Sequence, residues 1–352
     1  MSELLDVLAG PDALAELRAR GLDPARVRVL VGASGGPKWL ALHGLDRVLF
    51  PWLLEGARAP VHAVGSSIGT WRFACLAARE PLAAIDRFAR AYVEEQRYEG
   101  RPTPAEVSRE AARILDALLG DGGVGPLVTH DRVRLHLVTV RFRHLGALEG
   151  RPQVLGLGLA ALLNAMHRGA LRASLERVVF DARGDRGPFD PWRLLPTRHV
   201  ALTEENARDA LLASAAIPGV MTGVRDPAGA PPGVYRDGGV SDYHFGVEID
   251  PSDGLALYPH FYPHLVPGWF DKRLPWRRTR GLRRVVLIAP SAAWVASLPG
   301  GKIPDRTDFE RLSTDERVSI WRRVLARGEA LGEAFASLVE GGRIAERARP
   351  LP

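Results

Sequence analysis

The chain is short of cysteine, of lysine and of long apolar runs, and each shortage excludes a class of protein. Its 352 residues contain one cysteine, Cys75, so an internal disulfide and a Cys-rich metal site are excluded. Cys75 lies in the apolar run Phe73-Ala74-Cys75-Leu76-Ala77, where a buried and inert thiol is expected. No apolar run approaches the roughly 18 residues needed to span a bilayer. The opening MSELLDVLAG has no basic stretch ahead of an apolar one, so no secretory signal is read there and a cytoplasmic protein is expected. Lysine occurs only at positions 38, 272 and 302, which leaves 44 arginines among the 47 basic residues. A chain that nearly always chooses arginine has kept lysine at position 38.

The formal charge of +6 invites a nucleic-acid partner. The bases are interleaved with acids, as in Asp86-Arg87 and Arg109-Glu110, which is the pattern of solvated faces. No nucleic acid is expected. With 46% hydrophobic and 25% charged residues the composition is that of a globular protein.

Strand signals and helix signals alternate early. Residues 27–31 form a short β-branched run ending at Gly32, and a helical pattern runs from Lys38 to about Phe50. The unit recurs: strand 61–64, turn 65–69, helix 70–78. Two successive strand-turn-helix units predict a parallel sheet covered by helices, with functional groups at the carboxyl ends of its strands. Helices are predicted over 82–96, 104–119, 155–166, 204–215 and 308–338, and strands over 133–142, 177–180 and 283–288. Thr103-Pro104-Ala105-Glu106 is a capping box with proline at the first helical position.

Four segments carry chemistry. Gly65-Ser66-Ser67-Ile68-Gly69 is a G-x-S-x-G sequence between a strand and a helix. There a serine is forced outward on a sharp turn and the helix N-terminus faces the place where an oxyanion would form. The glycine spacing selects Ser67 over its neighbour Ser66, while a plain tight turn of small residues is the bland alternative. Ser34-Gly35-Gly36-Pro37-Lys38 follows the first strand. Adjacent glycines let backbone N–H groups converge on an anion, and since Pro37 has none, the donors are Gly35, Gly36 and Lys38, with Ile68 from the elbow. Neither a P-loop nor a dinucleotide fingerprint is satisfied. The remaining two segments are Ala213-Ser214-Ala215-Ala216-Ile217-Pro218-Gly219 and Arg236-Asp237-Gly238-Gly239.

Taken in this order, the four segments resemble the patatin-like phospholipase family over residues 27–245. The resemblance implies a three-layer α/β/α fold with a mainly parallel central sheet, spanning 1–352 as one domain whose residues 246–352 complete or cover the core. It implies a lipid acyl hydrolase using a Ser-Asp dyad without histidine or cofactor. Ser67 would be the nucleophile, Asp237 the base, and Gly35, Gly36, Lys38 and Ile68 the oxyanion hole, with Gly65, Gly69, Gly238 and Gly239 supporting the motifs. Two departures stand out: Ser34 replaces the first loop glycine, and Trp39 follows the basic residue where the family has glycine. A bulky Trp39 is expected to reshape the loop or narrow the acyl entrance. A carboxylate with an ordinary pKa of about 3.9 is a poor base near neutrality, so burial of Asp237 is expected to help.

Other readings remain open. His244, His260 and His264 follow Asp237 in the order of a Ser-His-Asp esterase, although nothing around them marks a catalytic loop. His260 and His264 with Asp271 show no ligand spacing, so no metal is assigned. Trp39 also leaves room for a non-catalytic lipid-binding or scaffold protein. Residues 258–284 interleave Tyr258, Phe261, Tyr262, Trp269, Phe270 and Trp276 with seven bases, which suits peripheral contact with an anionic membrane. Packing of those rings onto the core is the preferred reading.

Overall fold

A computed structural model describes residues 4–188, 194–250 and 254–352. Eleven strands form one sheet among these residues: β1 (Leu5–Ala9), β2 (Val27–Gly32), β3 (Val61–Ser66), β4 (Val133–Phe142), β5 (Leu175–Ala182), β6 (Thr197–Leu202), β7 (Val224–Arg225), β8 (Val234–Asp237), β9 (Leu255–Pro259), β10 (Val285–Pro290) and β11 (Ala348–Pro350). The order is β11-β1-β10-β9-β2-β3-β4-β5-β6, with β8 on β4 and β7 on β8. The run from β10 through β9, β2 and β3 to β4 is parallel throughout. Helices surround the sheet, giving the expected three-layer α/β/α architecture. The strands of the parallel run are buried almost end to end, as helix-covered parallel sheets require.

The residues after 245 are no appendage, because β9 lies between β2 and β10 in the middle of the sheet. The helix Thr314–Glu340 packs against the helix His43–Gly56. Its start departs from the expected continuous run over 308–338. Ser313 and Glu316 form a second capping box, and the preceding residues make only a short turn, Asp308–Arg311. The early helix predicted from Lys38 likewise splits into a 3₁₀ segment, Gly36–Leu42, and the helix His43–Gly56.

One strand acts as a ruler for the site. The first six residues of β4 pair with β3, ending at Ser66 opposite Val138. β4 then runs on past the end of β3, and its last four residues pair on the vacated edge with β8, beginning at Asp237 opposite Thr139. Because β3 is parallel and β8 antiparallel to β4, their carboxyl ends point at each other. Val138 and Thr139 are adjacent, about 3.3 Å apart along the strand, so the residues leaving β3 meet the last residue of β8.

The elbow helix Ile68–Leu76 is fully buried and carries a charge into the core. Arg72 donates to both oxygens of Asp46, on the helix His43–Gly56, at 2.7 and 2.6 Å, and neither side chain reaches solvent. A buried ion pair is costly to break from one side only. Arg72→Met should therefore lower the unfolding free energy in urea by about 3–5 kcal/mol, and adding Asp46→Leu should return most of the loss.

Candidate active site

Ser67 caps the helix Ile68–Leu76 with φ 54° and ψ −128°, a conformation that costs a non-glycine residue about 1–3 kcal/mol. Three contacts hold it there. The Ser67 N–H donates to Ser214 Oγ at 3.0 Å, and the Ser67 carbonyl accepts from Thr70 N–H at 3.0 Å and from Thr70 Oγ1 at 2.5 Å. Ser214 in turn donates to the Val138 carbonyl on β4 at 2.7 Å. The A-S-x-A-I-P-G segment thus supplies the clamp on the elbow, a role the sequence reading did not assign to Ser214. The elbow also needs glycine at position 69, since a Cβ there would stand 2.3 Å from the Gly32 carbonyl of β2.

From this turn the Ser67 hydroxyl donates to Asp237 Oδ2 at 2.7 Å. The second oxygen, Oδ1, accepts the Gly239 N–H at 2.7 Å, which uses the D-G-G spacing. Gly238 is required by close packing, as a Cβ there would lie 2.2 Å from the Val138 carbonyl. Burial pushes the Asp237 carboxyl from its ordinary 3.8 up to about 6, against the opposing pull of the Ser67 and Gly239 hydrogen bonds and of the Arg306 and Lys272 charges.

Ser66 is engaged elsewhere. It is fully buried, shares a 2.7 Å hydrogen bond with Ser34 Oγ and donates to the Asp242 carbonyl at 2.6 Å. The serine that replaces the first loop glycine therefore ties the loop to β3. Beyond it, Gly35 precedes the 3₁₀ segment, and Gly36 has φ 55°. Lys38 turns its N–H back to the Gly35 carbonyl at 3.5 Å, a long contact. Its ammonium lies 5.8 Å from the Phe261 ring centroid, and loss of solvent lowers its pKa. Ile68, as the first residue of its helix, has no intrahelical partner for its N–H.

The expectation that Trp39 narrows the acyl entrance is corrected. Trp39 is completely buried and stacks on Phe88, with centroids 4.2 Å apart and planes at 8°. It anchors the loop from below and does not line the cleft. The histidines are engaged in other contacts. His244 Nδ1 accepts from Val266 N–H and His260 Nδ1 from Tyr262 N–H, while burial holds both well below the usual imidazole range. His264 stacks on Tyr262. Ser67 and Asp237 are joined to each other with no imidazole between them. Asp271, once grouped with His260 and His264, accepts instead from Asn164 and Arg168.

Ser67 and Ile68 open onto a cleft of about 850 Å³. Its walls mix apolar side chains, among them Trp71, Ile114, Ile217, Met221 and Phe309, with polar and charged ones, Gln96, Arg101, Arg306, Glu310 and Arg317. Lys272, one of the three lysines, sits with its ammonium 3.9 Å from the Tyr243 ring centroid. Loss of solvent and the neighbouring Lys38 and Arg306 charges bring its pKa down to about 8. The rarity of lysine was the one sequence signal that could have pointed to this residue. Arg306 had none.

No family model matches the chain, and no curated protein matches it. Among solved structures it is similar to VipD from Legionella pneumophila, at 13% identity and a TM-score of 0.32, over 66% of this chain and 50% of that one. It is also similar to human GIVD cytosolic phospholipase A2, at 13% identity and a TM-score of 0.36, over 95% of this chain and 62% of that one. The chain thus spans less than two thirds of either protein's length.

A carboxyl raised from 3.8 to about 6 by folding is protonated more readily in the folded chain than in the unfolded one. Ionisation across that window weakens the fold, and the penalty persists at higher pH. Asp237→Asn should therefore raise the thermal unfolding temperature above pH 6, and the gain should fade below about pH 4.

Proposed function

We propose that the chain is a serine acyl hydrolase of the patatin-like type that cleaves carboxylic esters of lipids through a Ser67–Asp237 dyad. The observation that carries this reading is the 2.7 Å hydrogen bond from the Ser67 hydroxyl to a buried carboxylate, made from a strained turn on the wall of a cleft with apolar and charged side chains. The cleft's apolar side chains suit an acyl chain. Its arginines suit an anionic neighbour of the ester.

In the first step Asp237 Oδ2 accepts the Ser67 proton as Oγ attacks the ester carbonyl. The carbonyl oxygen becomes an oxyanion facing the N–H groups of Gly35, Gly36 and Ile68, with Lys38 able to join only by releasing its long contact to Gly35. The proton then passes from Asp237 to the departing alkoxide, leaving an acyl group on Ser67. Water, deprotonated by the same carboxylate, attacks the acyl group. The acid leaves and Ser67 regains its proton. Burial makes the base stronger than an ordinary carboxylate, and Gly239 keeps its second oxygen oriented.

Ester hydrolysis by purified protein should follow the ionisation of one group, with kcat/KM rising through pH about 6 to a plateau. Ser67→Ala should abolish turnover, and Asp237→Asn should lower kcat by about 10²–10⁴ while the protein stays folded. Full activity in either variant across a panel of acyl esters, or a rate controlled by His244, His260 or His264, would overturn the assignment.

A further inference from the structure

The helix Arg151–Met166 is built inside out. Its buried residues are Gln153, Gly156, Ala160 and Asn164, which share one face at 100° per residue. The opposite stripe carries Val154, Leu155, Leu159, Leu162 and Met166, between 53% and 72% exposed. A surface helix ordinarily does the reverse, and a contiguous exposed apolar stripe marks an interaction site. Trp276, 65% exposed, precedes Arg277, which ties its segment to the C-terminal part of the helix by donating to the Asn164 carbonyl at 2.6 Å.

The segments that flank this stripe carry mostly positive charge. Between residues 143 and 174 the only acid is Glu149, against four arginines. Residues 272–284 hold seven bases and no acid. Arg151, Arg172, Arg273, Arg278 and Arg280 are exposed. We propose that the leucine stripe and Trp276, rimmed by these arginines, are a docking face for an anionic lipid surface. Leucines and methionine enter the acyl boundary, the indole rests at headgroup level, and arginines meet lipid phosphates and carboxylates.

Both ends of the helix are tied to the site. Glu149, just before it, accepts from Gly223 N–H at 3.0 Å and from Arg236, the neighbour of Asp237. Gly223 follows the cleft-lining Met221 by two residues. At the other end Asp271 is buried and accepts from Asn164 at 2.7 Å and Arg168 at 2.5 Å, and Arg168 also donates to the Ser241 carbonyl, four residues after Asp237. Docking through the stripe would hold the chain on the kind of surface that carries a lipid ester. This use of the face rests on the proposed lipid hydrolase, but binding itself does not need turnover.

The test is flotation of the full chain with phosphatidylcholine vesicles, with and without phosphatidylserine. Wild type and Ser67→Ala should bind alike, more tightly with phosphatidylserine and less tightly in high salt. Leu155→Gln/Leu159→Gln/Leu162→Gln should weaken binding by about 100-fold, with an unchanged thermal unfolding temperature and unchanged hydrolysis of a soluble short-chain ester. Arg278→Glu/Arg280→Glu should remove the phosphatidylserine preference. Wild type that fails to float, or a leucine variant that floats undiminished, would overturn the proposal. A wild-type dimer that the leucine substitutions dissociate would overturn it too, in favour of a second copy as the occupant. Loss of esterase activity in Ser67→Ala with vesicle binding retained separates this face from the dyad.

Discussion

β4 outruns β3, and β8 fills the edge that β3 leaves. That single feature of register brings a serine and an aspartate 170 residues apart into hydrogen-bond contact. The parallel strand delivers a residue upward into the elbow, and the antiparallel strand delivers one back down to meet it. A slip of one residue in either ladder would turn its side chain to the other face of the sheet. The glycines follow from the same crowding: with two strand ends meeting against the middle of β4, a methyl group at position 238 would strike the Val138 carbonyl. Ser214 and Thr70 then oppose the strain at Ser67, one holding its N–H and the other its carbonyl.

Burial gives the site its electrostatic character. Among the described residues Asp237 has no cation in direct contact, only the Ser67 hydroxyl, one backbone N–H and the more distant fields of Arg306 and Lys272. Elsewhere the protein satisfies buried carboxylates outright, as Arg72 does for Asp46 and Arg177 for Asp242. The contrast is clearest with Asp242, which its arginine partners hold below the usual carboxylate range, whereas burial raises Asp237 to about 6.

Much of this was legible in the sequence because the early part of the chain follows local rules. The strand 133–142, the helix 104–119 and its capping box appear where periodicity and Thr103-x-x-Glu106 put them, and the elbow lies between strand and helix as its glycines imply. The central strand β9 escaped notice, since five buried residues give no alternation to read. Ser313-x-x-Glu316 was a legible start signal lost inside a long helical pattern. Trp39 misled because residue size was read without direction: the 3₁₀ turn rotates it into the core, onto Phe88. The 258–284 stretch divides, with Tyr258 and Phe261 buried and Trp276 exposed, because ring count alone does not tell which side of a loop faces inward.

Ser67 as a reactive nucleophile is most directly tested by covalent capture. A fluorophosphonate offered to the folded chain, followed by peptide mass spectrometry, should leave one phosphonyl group on Ser67 and none on Ser34, Ser66 or Ser214, with capture much slower in Asp237→Asn. A chain that stays unlabelled, or that carries the adduct on another serine, would contradict the Ser67–Asp237 dyad.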